Sequence, residues 1–215
     1  MKGWIVVGIS GVTCGGKTTL AAMLQKSITG SVVLSQDEFF REEYSDKHEM
    51  IPELQHANWE SLSSIDWNNL MTKLSELKSH EPPSGNPLII VEGHLIFNYL
   101  PLLQIFDKKY FLILSKEECW ERRRVRMYSP PDPPGYFDMC VWPMYLKNKK
   151  EIEENVMGID FTVGYPKYGL SAFQLQEYPD LSVGFGQWWN AHKRSLPFCN
   201  CDWNWVQNVK GYRNI

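Results

Sequence analysis

No apolar run in this chain approaches the roughly 18 residues that a membrane-spanning helix needs. The start, Met1-Lys2-Gly3-Trp4, passes straight into Ile5-Val6-Val7 without room for a signal-peptide core. The expected address is therefore the cytoplasm, with no membrane partner. Charge of one sign is lacking too: 22 Lys and Arg stand against 25 Asp and Glu, a formal net charge of -3. A chain so balanced is not built to coat nucleic acid, and any anion site must be a local one. A disulfide framework is missing as well. The five cysteines, at 14, 119, 140, 199 and 201, are an odd set in which only Cys199 and Cys201 lie close together. No second Cys or His pair accompanies them at metal-site spacing, so reduced thiols are expected. The sequence has no internal repeat, and it carries no mark of oligomeric state.

What is present suits one globular domain, with or without an appendage: 215 residues, 43% of them hydrophobic, are enough for an ordinary core. Short β-rich runs alternate with segments of helical period, the pattern of a parallel sheet covered by helices. The strand candidates are Trp4 to Ile9, Val32 to Leu34, Leu88 to Val91, Tyr110 to Leu114 and Val156 to Phe161. Leu20, Met23, Leu24 and Ile28 form an apolar stripe on a helix, and Leu70, Leu74 and Leu77 mark another. Lys116 to Tyr128 reads as a charged helix, stopped by the prolines from Pro130 onward. Order of this kind fades after Phe161. We expect a folded domain over residues 1–161 and a C-terminal extension over 162–215, where glycines, prolines and tryptophans show no sustained period.

Gly11-Val12-Thr13-Cys14-Gly15-Gly16-Lys17-Thr18 satisfies G-x-x-x-x-G-K-[ST], between a strand and an amphipathic helix. Glycines let such a loop turn its backbone N–H groups inward, and the helix N-terminus adds a positive dipole. Lys17 can then reach the β- and γ-phosphates of a nucleotide, and the Thr18 hydroxyl can ligate Mg²⁺. ATP and Mg²⁺ are the expected cofactors. Open parallel sheets gather their reacting groups beyond the carboxyl ends of the strands. Two acids stand there: Asp37, after Val32-Val33-Leu34-Ser35-Gln36, and Glu92, after Leu88-Ile89-Ile90-Val91. Acids also favour turns after strands, but beside a phosphate loop Asp37 becomes the candidate base and a possible metal ligand. Glu92 is the candidate holder of metal-bound water. In Arg122-Arg123-Arg124-Val125-Arg126, a continuous helix puts Arg122 and Arg126 on one face and Arg123 about 100° away. The first two would then neutralise phosphates while Arg123 faces the acceptor. A solvated basic face paired with Glu117 and Glu118 is the alternative.

Several runs together resemble the nicotinamide riboside kinases, within the uridine kinase-like group of P-loop kinases. They are Gly8-Ile9-Ser10-Gly11-Val12-Thr13, Ser35-Gln36-Asp37-Glu38-Phe39-Phe40, Ile90-Val91-Glu92-Gly93-His94-Leu95-Ile96-Phe97-Asn98-Tyr99, and Tyr128 to Lys147 with its Pro-Pro-Asp and Gly-Tyr-Phe-Asp steps. The resemblance covers Met1 to about Phe161. It implies an α/β P-loop nucleoside-kinase-like fold, with a five-stranded parallel sheet, helices on both faces and a short lid. It implies an enzyme that phosphorylates the ribose 5′-hydroxyl of nicotinamide riboside. ATP would meet Gly11 to Thr19, with Arg122, Arg126, Met127 and Tyr128 above it. The small-molecule nucleoside would meet Asp37, Glu38, Phe39, Phe40, Arg123, Tyr128 and Ser129. Trp59-Glu60 stands where the family usually has a Tyr-Asp pair that grips the sugar. Electron-rich faces such as Trp59, Phe39 or Tyr128 suit a flat, cationic nicotinamide ring, with core packing the alternative for each. The competing readings are a uridine/cytidine kinase and a non-catalytic ATP-binding protein.

Overall fold

The computed structural model describes residues 3–43, 45–83 and 87–163. Apart from its first two residues, the expected C-terminal extension lies outside the described residues, as do Cys199 and Cys201. The chain runs from β1 (Ile5–Gly11) into α1 (Lys17–Ser27), β2 (Val32–Ser35) and a small hairpin, β3 (Met50–Ile51) and β4 (His56–Ala57). It continues through α2 (Trp67–Ser79), β5 (Leu88–Glu92), α3 (Leu100–Leu103) and β6 (Lys108–Ile113). It then forms α4 (Lys116–Arg123), α5 (Trp142–Asn155) and β7 (Ile159–Val163).

Five strands make one sheet in the order β2-β5-β1-β6-β7, and every pairing in it is parallel. β1 is central, with β2 and β5 on one side and β6 and β7 on the other. Connections therefore diverge at the carboxyl end of β1, where open parallel sheets bind ligands. The strands are apolar on both faces because both are covered. Val7 and Ile9 of β1 and Ile90 of β5 pack with Leu20, Ala21 and Leu24 of α1. On the other face Val6, Ile89, Val91 and Phe111 pack with Leu70 and Leu74 of α2, Cys119 of α4 and Ile152 of α5. This is the two-faced parallel sheet that the sequence implied. Among the described residues no helix is long and apolar enough to cross a membrane.

Three details differ from the sequence reading. β7 begins and ends later than Val156 to Phe161. α5 was not legible, because its buried residues are only Tyr145 and Ile152, too sparse to form a stripe. α4 stops at Arg123 instead of running to Tyr128. Its start is well made, with Ser115 and Glu118 forming a reciprocal capping box. Beyond Arg123, however, Val125 and Met127 are exposed and bury nothing that would reward another turn. Arg123 also pairs with Asp132, nine residues on, which requires the chain to reverse.

Candidate active site

The loop between β1 and α1 is shaped by close backbone approaches. Gly11 has φ +127°, and a Cβ there would sit 2.1 Å from the Leu112 carbonyl oxygen, so no other residue fits. Val12 N–H donates to that carbonyl at 3.0 Å, tying the loop to β6. Gly16, also at positive φ, leads into α1, whose N-terminus has no side-chain cap. Its first N–H groups are thus offered to an anion. The Lys17 ammonium curls over the loop and donates to the carbonyls of Val12 (2.9 Å) and Gly11 (3.2 Å).

Sheet register brings the two acids beside this loop. Ser35 at the end of β2 lies opposite Glu92 at the end of β5. Ser35 Oγ (2.6 Å) and Thr18 Oγ1 (3.2 Å) both donate to Glu92 Oε1, and Glu92 is only 1% exposed. Asp37 follows in a single helical turn, Gln36–Phe39, that Ser35 caps by accepting from Asp37 N–H. Alternation within this turn decides the fate of its neighbours. Asp37 faces the cavity, whereas Phe39 is buried in the hydrophobic core and Glu38 points to solvent. Of the four residues 37–40, Asp37 and Phe40 line the cavity.

The arginines arrive by a route different from the expected helix face. Arg122 Nη1 donates to the Cys14 carbonyl at 3.2 Å. Arg123 is buried at 6% exposure. It makes a bidentate pair with Asp132 (Nε to Oδ2 2.8 Å, Nη2 to Oδ1 3.1 Å) and donates from Nη1 to Thr13 Oγ1 at 2.9 Å. Burial is the largest influence and works against its charge, but the Asp132 hydrogen bonds together with electrostatic attraction from Glu60, Tyr128 and Asp132 outweigh it and raise its pKa. Arg126 lies beyond the helix, its guanidinium 5.5 Å from the centre of the Tyr128 ring, with that of Arg123 at 4.3 Å. The Tyr128 hydroxyl lies 3.5 Å from Cys14 Sγ, and burial pushes its pKa up to about 12. Lid and phosphate loop are thus joined through Thr13, Cys14, Arg122, Arg123 and Tyr128.

The β3–β4 hairpin delivers Trp59 and Glu60. Trp59 N–H donates to the Tyr136 hydroxyl at 3.0 Å, and that hydroxyl donates in turn to Ala57 O. Trp59 meets Phe40 edge to face at 5.6 Å. Glu60 is buried, and its pKa rises from 4.5 to about 7, because desolvation outweighs the pull of Arg123 and Lys17. His94 lies beside it, with Nε2 3.5 Å from Glu60 Oε2. Desolvation, reinforced by Lys17, lowers the pKa of His94 to about 4. Near neutral pH the imidazole is uncharged, so the two side chains do not form an ion pair.

The phosphate loop, the strand ends, the hairpin and the lid together line one cavity of about 860 Å³. The loop contributes Thr13, Cys14, Gly16, Lys17, Thr18 and Thr19, and the strand ends contribute Asp37, Phe40 and Glu92. Trp59 and Glu60 form the far wall, and Arg122, Arg123, Arg126, Met127, Tyr128 and Ser129 form the roof. Gly11, Val12 and Gly15 shape the loop without lining the cavity. Sequence reasoning missed Arg41, Glu43, His94, Asp132 and Tyr136, which also line it. His94 and Asp132 lay inside the runs that carried the family resemblance, but no spacing rule distinguished them. Arg41 and Glu43 carry no local signal.

A family model described as an AAA domain matches residues 7–143. Nicotinamide riboside kinase 1 of Homo sapiens is 42% identical over 183 residues, covering 82% of this chain and 91% of that protein. Nicotinamide riboside kinase 1 of Mus musculus is 41% identical over 169 residues, covering 74% and 85%. Nicotinamide riboside kinase 2 of Mus musculus is 34% identical over 173 residues, covering 74% and 87%.

Proposed function

The chain belongs to the nicotinamide riboside kinase family, and from that premise we propose that it transfers the γ-phosphate of ATP to the ribose 5′-hydroxyl of nicotinamide riboside, giving the mononucleotide. Nicotinic acid riboside, which carries the same ribose, is the expected second acceptor. The observation that carries this reading is a shared cavity: Lys17 and Thr18 of the phosphate loop, the Asp37 carboxylate and the aromatic wall of Phe40 and Trp59 all face it.

The chain's own groups can carry the steps. The N-terminal N–H groups of α1 and the Lys17 ammonium hold the β- and γ-phosphates. Arg122 and Arg126 add positive charge from above, where the transferring oxygens gather charge. Asp37 accepts the proton of the 5′-hydroxyl as that oxygen bonds to the γ-phosphorus, and the bond to the β–γ bridging oxygen breaks to release ADP. Trp59 and Phe40 offer π-faces to the pyridinium ring, and Glu60 offers its carboxyl to the sugar.

The hard oxygen donors Thr18 Oγ1 and Asp37 suit Mg²⁺, with Glu92, already accepting from Thr18 and Ser35, placed to hold a metal-bound water. Among the described residues no three His, Cys, Asp or Glu side chains converge as a metal cage. That fits an ion held by a few protein oxygens together with substrate phosphates. When bound, Mg²⁺ neutralises phosphate charge.

The test is ADP release from Mg²⁺-ATP with nicotinamide riboside, nicotinic acid riboside, uridine and cytidine as acceptors. Turnover is expected with the pyridine ribosides, and Asp37→Asn should lower kcat by about 10²–10⁴ while ATP still binds. Turnover with pyrimidine nucleosides alone would replace the reading with a uridine/cytidine kinase. ATP binding without turnover of any acceptor would leave a non-catalytic protein.

A further inference from the structure

The His94 ring lines the cavity beside Glu60, yet its buried Nε2 makes no hydrogen bond of ordinary geometry, and the ring has only a weak interaction with the Trp59 backbone and a 3.5 Å approach to Glu60 Oε2. The proton on that nitrogen can be assigned from its surroundings. Gln36 Oε1 accepts from Leu95 N–H at 2.9 Å, which fixes the orientation of the Gln36 amide. The other end of the amide, Nε2, is a donor and lies 3.1 Å from His94 Nδ1. Nδ1 therefore accepts, and Nε2 carries the N–H. Gln36 can sit this close because position 93 is glycine; a Cβ there would be 2.4 Å from Gln36 Cβ. The ring is also stacked on Phe40 at 6.0 Å.

A buried N–H donor thus stands 3.5 Å from a carboxyl oxygen of Glu60, and both residues line the cavity in which the acceptor must lie. A buried donor with only weak partners is unfavourable unless something fills its need. Water could do so, but a hydroxyl group is the one substrate function that donates and accepts through a single oxygen, and so satisfies both partners at once. We propose that His94 is a sugar-binding and specificity-determining residue: a ribose hydroxyl other than the one phosphorylated donates to Glu60 and accepts from His94 Nε2–H. This deepens the kinase reading and rests on it. It also gives the longer Glu60 side chain a partner that shares the grip on the sugar.

The experiment measures KM and kcat for nicotinamide riboside and for its 2′-deoxy and 3′-deoxy analogues, in wild type, His94→Phe and His94→Gln. Loss of one such hydrogen bond should raise KM for the riboside by about tenfold in His94→Phe, with kcat and the KM for ATP changed far less. One of the two deoxy analogues should show no further loss in His94→Phe, because the hydroxyl that His94 reads is already gone. His94→Gln, which restores a donor, should recover part of the affinity. An equal KM rise for the riboside and both deoxy analogues would overturn the proposal, as would an unchanged riboside KM. If wild type prefers another riboside, the substrate reading fails but the same comparison on that riboside still decides the role of His94. Silence with every riboside overturns both.

Discussion

The bidentate pair between Arg123 and Asp132 folds the lid segment back on itself and holds Arg123 against the phosphate loop, and Asp132→Asn tests it with little change in shape. The asymmetry of burial sets the expected size. The Arg123 side chain is 6% exposed and that of Asp132 is 26% exposed, so removing the carboxylate charge leaves a largely buried guanidinium without its charge partner. Breaking a fully buried pair in this way costs about 3–5 kcal/mol. Partial access of water to Asp132 reduces this to about 2–3 kcal/mol. Against a typical domain stability of about 5–15 kcal/mol that is a large share. In urea denaturation, with a slope of about 2 kcal/mol/M, the midpoint should fall by about 1 M while the slope stays constant. The double substitution Arg123→Met with Asp132→Leu removes both charges and should be less destabilised than the sum of the two single changes. A loss below about 0.5 kcal/mol for Asp132→Asn, or strict additivity in the double variant, would show that the pair does not hold the lid.

Other consequences are as direct. Gly93→Ala would put a methyl group 2.4 Å from Gln36 Cβ and 2.5 Å from Gln36 Oε1, so a destabilisation of about 1–3 kcal/mol is expected by thermal or urea unfolding, and an unchanged midpoint would contradict the packing. Thr18→Val deletes the loop hydroxyl and should raise the Mg²⁺ concentration for half-maximal turnover several-fold; an unchanged Mg²⁺ dependence would remove Thr18 from the metal site. The buried pair also predicts a pH signature. Glu60, raised from 4.5 to about 7 when folded, stabilises the native state at low pH, and that contribution is lost as pH rises through 7. His94, lowered from 6.5 to about 4, has the opposite sign: its stability is present above 6.5 and lost as pH falls through 4. The two largely offset each other between pH 4.5 and 6.5 in the wild type. Glu60→Gln should unmask the His94 limb, so that stability climbs with pH across that window by on the order of 2 kcal/mol. A flat urea-midpoint profile for Glu60→Gln would refute the assignment.

Much of the site was legible because its signals are local. The phosphate loop is a run of eight residues whose backbone geometry needs glycine, and Gly11 against Leu112 shows why. Asp37 and Glu92 were found from position, since acids at the ends of parallel strands collect at one edge of the sheet. The arginines were legible as residues and misread as geometry. Helical spacing placed Arg126 one turn from Arg122, but the pull of Asp132 on Arg123 ends α4 first. Phe39 shows the opposite limit: an aromatic residue beside the candidate base suits either the core or a ligand, and the direction of one short turn sends it to the core.

The sequence by itself determined the class of the fold, the phosphate loop and the strand ends that carry the two acids. In each case the physical cause, a backbone conformation or an alternation of apolar residues, acts over a few neighbours. Only the tertiary structure decided that Glu60 and His94 would meet across 34 positions of chain, share a buried corner and shift each from its ordinary pKa. It likewise decided that Asp132 would neutralise Arg123. Desolvation depends on what packs around a group from distant segments, and that is settled only when the sheet register and the lid bring those segments together.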